Sequence, residues 1–243
     1  MITLLIAVPV APARADQSYS VTGRDSYQVG VHELRTDIAY SGKQRLRITR
    51  NGKTTRFSAS VVYNRSGQGE KSAATASFDS VLGPSGEQRD EVNRDPDYLT
   101  ILNQPFSVKL DLPTLHDLSH LRGGVPFDFP SPMTGAPLHG FLRRGIDARI
   151  GGASALGVIF EAVGKIQGPL PDHPNMALRG TIHMTGKAFY QTRTALLMAL
   201  DATLKISGTL TNKMQTAPVT IVYKRTIRAD APPSVKESVT RRH

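Results

Sequence analysis

The chain has 243 residues, a formal charge of +10, no cysteine and no tryptophan. The missing cysteine excludes disulfides, a thiol nucleophile and an acylated N-terminal cysteine. The length is enough to bury a full core without such staples. The basic balance points to anionic partners: phospholipid head groups, acidic glycans or nucleic acid.

Residues 1–15 carry an apolar run of about ten residues that ends in Ala13-Arg14-Ala15. That is the shape of a secretory signal cleaved after Ala15, although no positive charge precedes the apolar run. The run is too short for a membrane helix, which needs about 20 apolar residues. The chain therefore reads as exported, periplasmic or extracellular, in a bacterium, where disulfides are tolerated and not required.

The first strong local signal is Asn51-Gly52 between two alternating runs, the mark of a two-residue β-hairpin turn. That turn pairs Arg50 with Lys53. Leu46 then faces Phe57, Ile48 faces Thr55, Gln44 faces Ala59 and Tyr40 faces Tyr63. On the opposite face Arg47 meets Arg56, Arg45 meets Ser58 and Lys43 meets Ser60. Upstream, His32, Leu34, Thr36, Ile38 and Tyr40 keep the parity of Leu46, with Ser41-Gly42 as a bend. Ala74, Ala76 and Phe78 mark a shorter strand. Residues 83–97 read as a loop. Tyr98–Leu102 and Phe106–Leu110 read as strands broken at Pro105. A short helix follows Pro113, with Leu115, Leu118 and Leu121 on one face. The prolines from Pro126 to Pro137 exclude a central strand and predict an extended loop.

The second half alternates most regularly. Leu138, Gly140, Leu142, Ile146, Ala148 and Ile150 share one parity, then Leu156, Val158, Phe160, Ala162 and Ile166. Met176, Leu178, Ile182, Met184, Ala188 and Tyr190 follow, then Leu196 to Ile206, and finally Val219, Ile221, Tyr223 and Ile227. The polar parity carries Lys187, Asp201, Lys205, Lys224 and Arg228. These runs exceed the usual strand length of about 5–6 residues.

Motifs for chemistry are sparse. His116 and His120 stand at i and i+4, a spacing that can hold zinc, but Asp117 replaces the glutamate of a zinc protease and no third ligand is evident. Glu91, Asn93, Asp95 and Asp97 alternate like calcium ligands, yet Pro96 and Leu102 stand where that loop needs glycine and glutamate. Gly152-Ala153-Ser154-Ala155-Leu156-Gly157 is one residue too long for a nucleophile elbow. No cofactor motif is present. The basic hairpin carries the best candidate site: Lys43, Arg45, Arg47 and Arg56, with Arg47 opposite Arg56 as a like-charge pair that an anion would relieve. Aromatic stacking platforms are lacking on that face, which argues against nucleic acid. Phe127 and Phe129, flanking Asp128, are candidates to gate or to plug an apolar interior.

The expected fold is all-β: a long-stranded antiparallel meander curling into a barrel or half-barrel, with one short helix and a proline-rich loop near the middle. A signal peptide (1–15) precedes one β domain (16–228), whose halves 16–112 and 138–228 are joined by 113–137, and a disordered tail (229–243) follows. The pattern resembles the periplasmic lipoprotein-carrier fold, though no residue motif carries that resemblance. The expected function is non-enzymatic: binding an apolar or amphiphilic anionic ligand, a lipid or an envelope glycan, without spanning the membrane. Aromatic girdles, the mark of an outer-membrane barrel, are missing. The alternatives are a hydrolase or metal-dependent enzyme using the His116/His120 helix, and a structural subunit of the envelope.

Overall fold

Long alternating strands with one apolar face must pair along their whole length and curl to cover that face. The computed structural model shows this arrangement; it describes residues 13–30, 34–51, 54–82, 88–103, 116–118, 124–129, 137–170, 173–212 and 215–231. Five strands form the N-terminal part: β1 (Ala13–Val29), β2 (Leu34–Asn51), β3 (Thr54–Gly67), β4 (Glu70–Leu82) and β5 (Gln88–Arg94). Seven follow: β6 (Val125–Phe129), β7 (Leu138–Arg144), β8 (Ala148–Ile150), β9 (Ala153–Leu170), β10 (His173–Gln191), β11 (Leu197–Thr211) and β12 (Thr216–Ala229). All pairings are antiparallel, in the order β5-β4-β3-β2-β1-β12-β11-β10-β9-β7-β6, with β8 beside β9.

The N-terminal strands step outward from β1 to one edge. The chain then crosses to the other edge and steps back inward from β6 to β12. The first and last long strands thus meet in the middle of the sheet, from Tyr19 opposite Ala229 to Val29 opposite Val219. The sheet is open, with β5 and β6 at its edges.

The alternation predicted for β2, β3, β4 and β7 to β12 is seen as burial of one face. Leu46, Ala59, Val61, Tyr63, Phe78, Phe160, Ile182, Met184, Leu204 and Ile206 belong to one continuous inner core or border it. That core spans both sets of strands.

The hairpin register differs from the expected one. Asn51 pairs with Thr54, so the whole ladder slides by two residues from the expected Arg50–Lys53 pairing. Leu46 faces Ala59, Ile48 faces Phe57, Gln44 faces Val61 and Tyr40 faces Arg65. A slide by two keeps every side chain on its face, so apolar patterning cannot tell the two registers apart. The slide does separate Arg47 from Arg56, which face Ser58 and Thr49, so the like-charge pair is not formed. Ser41-Gly42 makes no bend, because β2 runs through it. Gly42 is instead the site of a close approach: a Cβ there would lie 2.7 Å from that of Tyr63.

Three segments read as loop or strand take other forms. Residues 88–94, within the expected loop, add β5 at the edge. Tyr98–Leu102 is no strand: a turn and a single 3₁₀ turn at Ile101–Asn103 follow β5. Val125–Phe129 is no loop but the edge strand β6, where Pro126 is tolerated because only one side of the strand is paired. A helical turn at 116–118 buries Leu118, while Leu115, Leu121, His120 and Phe106–Leu110 lie outside the described residues. So do 1–12 of the expected signal and 232–243 of the expected tail. Residues 13–15 already pair in β1, and Asp230 donates its backbone N–H to Ser18.

Candidate functional site

The segment after β5 turns back over the concave face. Asp95 shapes it: its carboxylate accepts the Leu99 and Thr100 backbone N–H groups and the Thr100 hydroxyl. Leu99 and Ile101 are thereby pressed into the core, and the Ile101 N–H donates to Gln44 Oε1 on β2 at 2.9 Å. Of the alternating residues that resemble calcium ligands, Asn93, Asp95 and Asp97 have structural partners, and Asn93 Oδ1 accepts the Asp95 N–H at 3.0 Å. Asp95 holds the turn, and Asp97 accepts the Tyr40 and Tyr63 hydroxyls.

The same segment reaches the central seam, where Arg225 on β12 points inward. Its guanidinium ion-pairs with Asp25 on β1 and donates to the carbonyls of Asp97 (2.7 Å) and Tyr98 (3.1 Å). Asp25 and Arg225 are 1% and 4% exposed, which makes the pair part of the interior. Space for the guanidinium comes from Gly23 opposite it, where a Cβ would stand 3.0 Å from Nη1. Tyr40 and Tyr223 flank the cation, with ring centroids 5.3 and 5.6 Å from Cζ. Burial pushes the Asp25 carboxyl upward, against the opposing pull of Arg225. Burial also raises the hydroxyl pKa values of Tyr40, Tyr63 and Tyr223.

This polar seam separates two ends of the inner face. At the end holding the β10–β11 turn, Tyr19, Leu46, Leu156, Tyr190, Leu197 and Leu200 are all buried. At the other end, where β1, β3, β9 and β11 finish, Ile38, Leu178 and Val219 are buried but six further inward apolar side chains are half-buried. They are Tyr27, Val29, Ile166, Leu210, Ile221 and Tyr223. Arg65 belongs to the inward row of β3 at this mouth and is exposed. Burial works against its charge, but Asp97, Tyr40 and Tyr27 together outweigh that and raise its pKa.

The residues singled out from the sequence lie elsewhere. Lys43, Arg45, Arg47 and Arg56 all project from the outer face, away from the apolar interior. Arg45 and Arg47 share Asp16, at 3.4 and 3.3 Å, and Lys43 meets Asp230 at 2.8 Å. Phe129 is fully buried against Phe160 and Phe127, so it is a fixed part of the core; Phe127 is half-buried on the edge strand. His116 is exposed beside Asp117. Among the described residues, no three histidine or acidic groups are placed to hold a metal ion.

Two features of the sequence obscure the seam. In β1 the apolar parity of Tyr19, Val21, Tyr27 and Val29 is interrupted by Gly23 and Asp25. Arg225 interrupts the row Val219, Ile221, Tyr223, Ile227. A charge inside an apolar parity row is the signal that would have found it, since such a residue needs a buried partner.

No helix among the described residues is long and apolar enough to cross a membrane. No family model matches the chain, and no curated protein matches it. Among solved structures the chain is similar to lipovitellin, in a structure concerned with lipid–protein interactions, at 10% identity and a TM-score of 0.44. That match covers 96% of this chain and 26% of lipovitellin, so the chain spans about a quarter of that protein's length.

Proposed function

We propose that this is an exported, non-enzymatic protein that binds an anionic amphiphile at the half-open end of its curled sheet. One observation carries the reading: Tyr27, Val29, Ile166, Leu210, Ile221 and Tyr223 stay half-buried together at one strand end, with an exposed inward arginine at the same rim. Apolar surface left open to water in a concave wall favours an apolar ligand. Arg65 supplies a fixed positive charge for an acidic head group. The acyl portion lies along Ile221, Leu210 and Ile166, above the Asp25–Arg225 seam. The outer cations Lys43, Arg45, Arg47 and Arg56 do not touch such a ligand. They contribute long-range attraction to an anionic envelope, glycan or lipid.

The test is extraction of the protein, purified from its native envelope, with organic solvent, followed by mass spectrometry. A stoichiometric amphiphile that is lost when Leu210 and Ile221 are changed to Asp supports the reading. A clean extract from folded monomer overturns it.

A further inference from the structure

The outer face of a curled sheet is expected to be polar, and on the β7–β9 pair it is not. Phe141 stands directly opposite Glu161, so it lies diagonally between Ile159 and Val163 on the same outward face. These three side chains are 48%, 50% and 50% exposed. Ile146, two residues past the end of β7, is 89% exposed. Three large apolar side chains thus line up in solvent on this face. An exposed contiguous apolar patch marks an interaction surface.

The patch opens onto an outward groove of about 580 Å³ that runs across β9 to β12, from Phe141 and Ile159 to Lys187 and Lys224. Small residues, Thr185 and Thr203, form its floor. The acids in it are already engaged. Glu161 meets His183 at 3.1 Å, and Asp201 meets Arg228 at 2.7 Å and the Thr226 hydroxyl at 3.0 Å. Arg143 and Lys224 keep the rim cationic, together with Lys187, which stands 4.0 Å from Asp201.

We infer that this face is where the protein docks on an anionic phospholipid bilayer, with the Ile159–Phe141–Val163 row entering the head-group boundary and the lysines meeting phosphate. Apolar insertion combined with cationic contact is the chemistry of peripheral membrane binding. The charge of the rim favours an anionic bilayer over a neutral apolar partner. This surface is on the opposite side of the sheet from the amphiphile site, and docking there stands apart from that reading.

The test uses the full chain and vesicles of phosphatidylglycerol and phosphatidylcholine, with phosphatidylcholine alone as reference, by co-sedimentation at low salt. Two variants are compared with wild type: one combining Phe141→Ser, Ile159→Thr and Val163→Thr, the other combining Lys187→Gln and Lys224→Gln. All five positions are on the outer face, and a far-UV spectrum checks the fold. Wild type is expected to bind the anionic vesicles, and each variant to bind about tenfold more weakly or worse. Wild-type affinity in both variants overturns the inference. So does light scattering that finds a wild-type dimer and a monomeric triple variant, since a second copy then covers the patch. Solvent-extracted amphiphile content is expected to be unchanged in both variants. Lost docking with retained amphiphile, or the reverse, tells which of the two sites is at fault.

Discussion

Arg225 and Asp25 meet inside the sheet at the junction of its last and first long strands, and the arginine also holds the carbonyls of Asp97 and Tyr98. One guanidinium thereby ties β12 to β1 and both to the segment that covers the N-terminal strands. Removing either charge leaves the other buried and uncompensated. Arg225→Met is expected to cost about 3–5 kcal/mol, and the double change with Asp25→Leu to recover much of it. Urea denaturation of the two single variants and the double variant measures this directly. Additive losses in the double variant would show that the two charges are not coupled.

The tyrosines around this seam give the protein an alkaline limit. Burial raises Tyr40, Tyr63 and Tyr223, and burial does the same for Tyr19 and Tyr190 at the closed end. Their folded pKa values lie above the unfolded value of about 10. The unfolded chain therefore ionises first, so stability is intact below pH ~10 and falls as pH rises beyond it. Phenolate absorbance and circular dichroism followed together should change in one step. Phenolate appearing while the fold persists would contradict burial of these side chains.

Two glycines give opposite expectations. At Gly186 a Cβ would lie 2.5 Å from Phe160 Cζ and 2.1 Å from the Asp201 carbonyl, whereas at Gly168 it would meet nothing within 4 Å. Gly186→Ala is expected to destabilise by about 1–3 kcal/mol through overpacking. Gly168→Ala should fall within about 0.5 kcal/mol of wild type. Thermal melts of the two variants provide the comparison.

Replacing Arg45, Arg47 and Arg56 together with alanine tests the outer basic hairpin. These side chains are exposed, and the two that share Asp16 do so in solvent. Unfolding midpoints are expected to stay near the wild-type value. Association with anionic vesicles should slow at low salt, and the difference should vanish near 1 M salt, where screening acts within about 3 Å. A slowing that persists in high salt would mean direct contact in place of steering.

How far the residues announced this structure depends on what each pattern can encode. Alternation over β9 to β12 named the strands and their buried face, because period two has only one readable meaning at that length. It could not fix the β2–β3 ladder, because a two-residue slide leaves Leu46 and Ile48 facing inward either way. It misread Tyr98 to Leu102, where Leu99 and Ile101 are buried by a turn capped by Asp95, with no partner strand. Pro126 argued correctly against a central strand and left the edge position open. The candidate site was less legible than the fold. The charges that stood out, Arg45 and Arg47, are on the outer face, while Asp25 and Arg225 are about 200 residues apart and neither is informative alone.

The pairing of β1 with β12 also sets an order of events. The most N-terminal strand can complete its ladder only after the last strand has been synthesised. Until then its β12-facing edge remains unpaired, and an unpaired edge invites association with other chains. Contacts of such high sequence separation make folding slow. Truncation before Thr216 should accordingly yield a product that remains protease-sensitive and aggregates, however long it is given to mature.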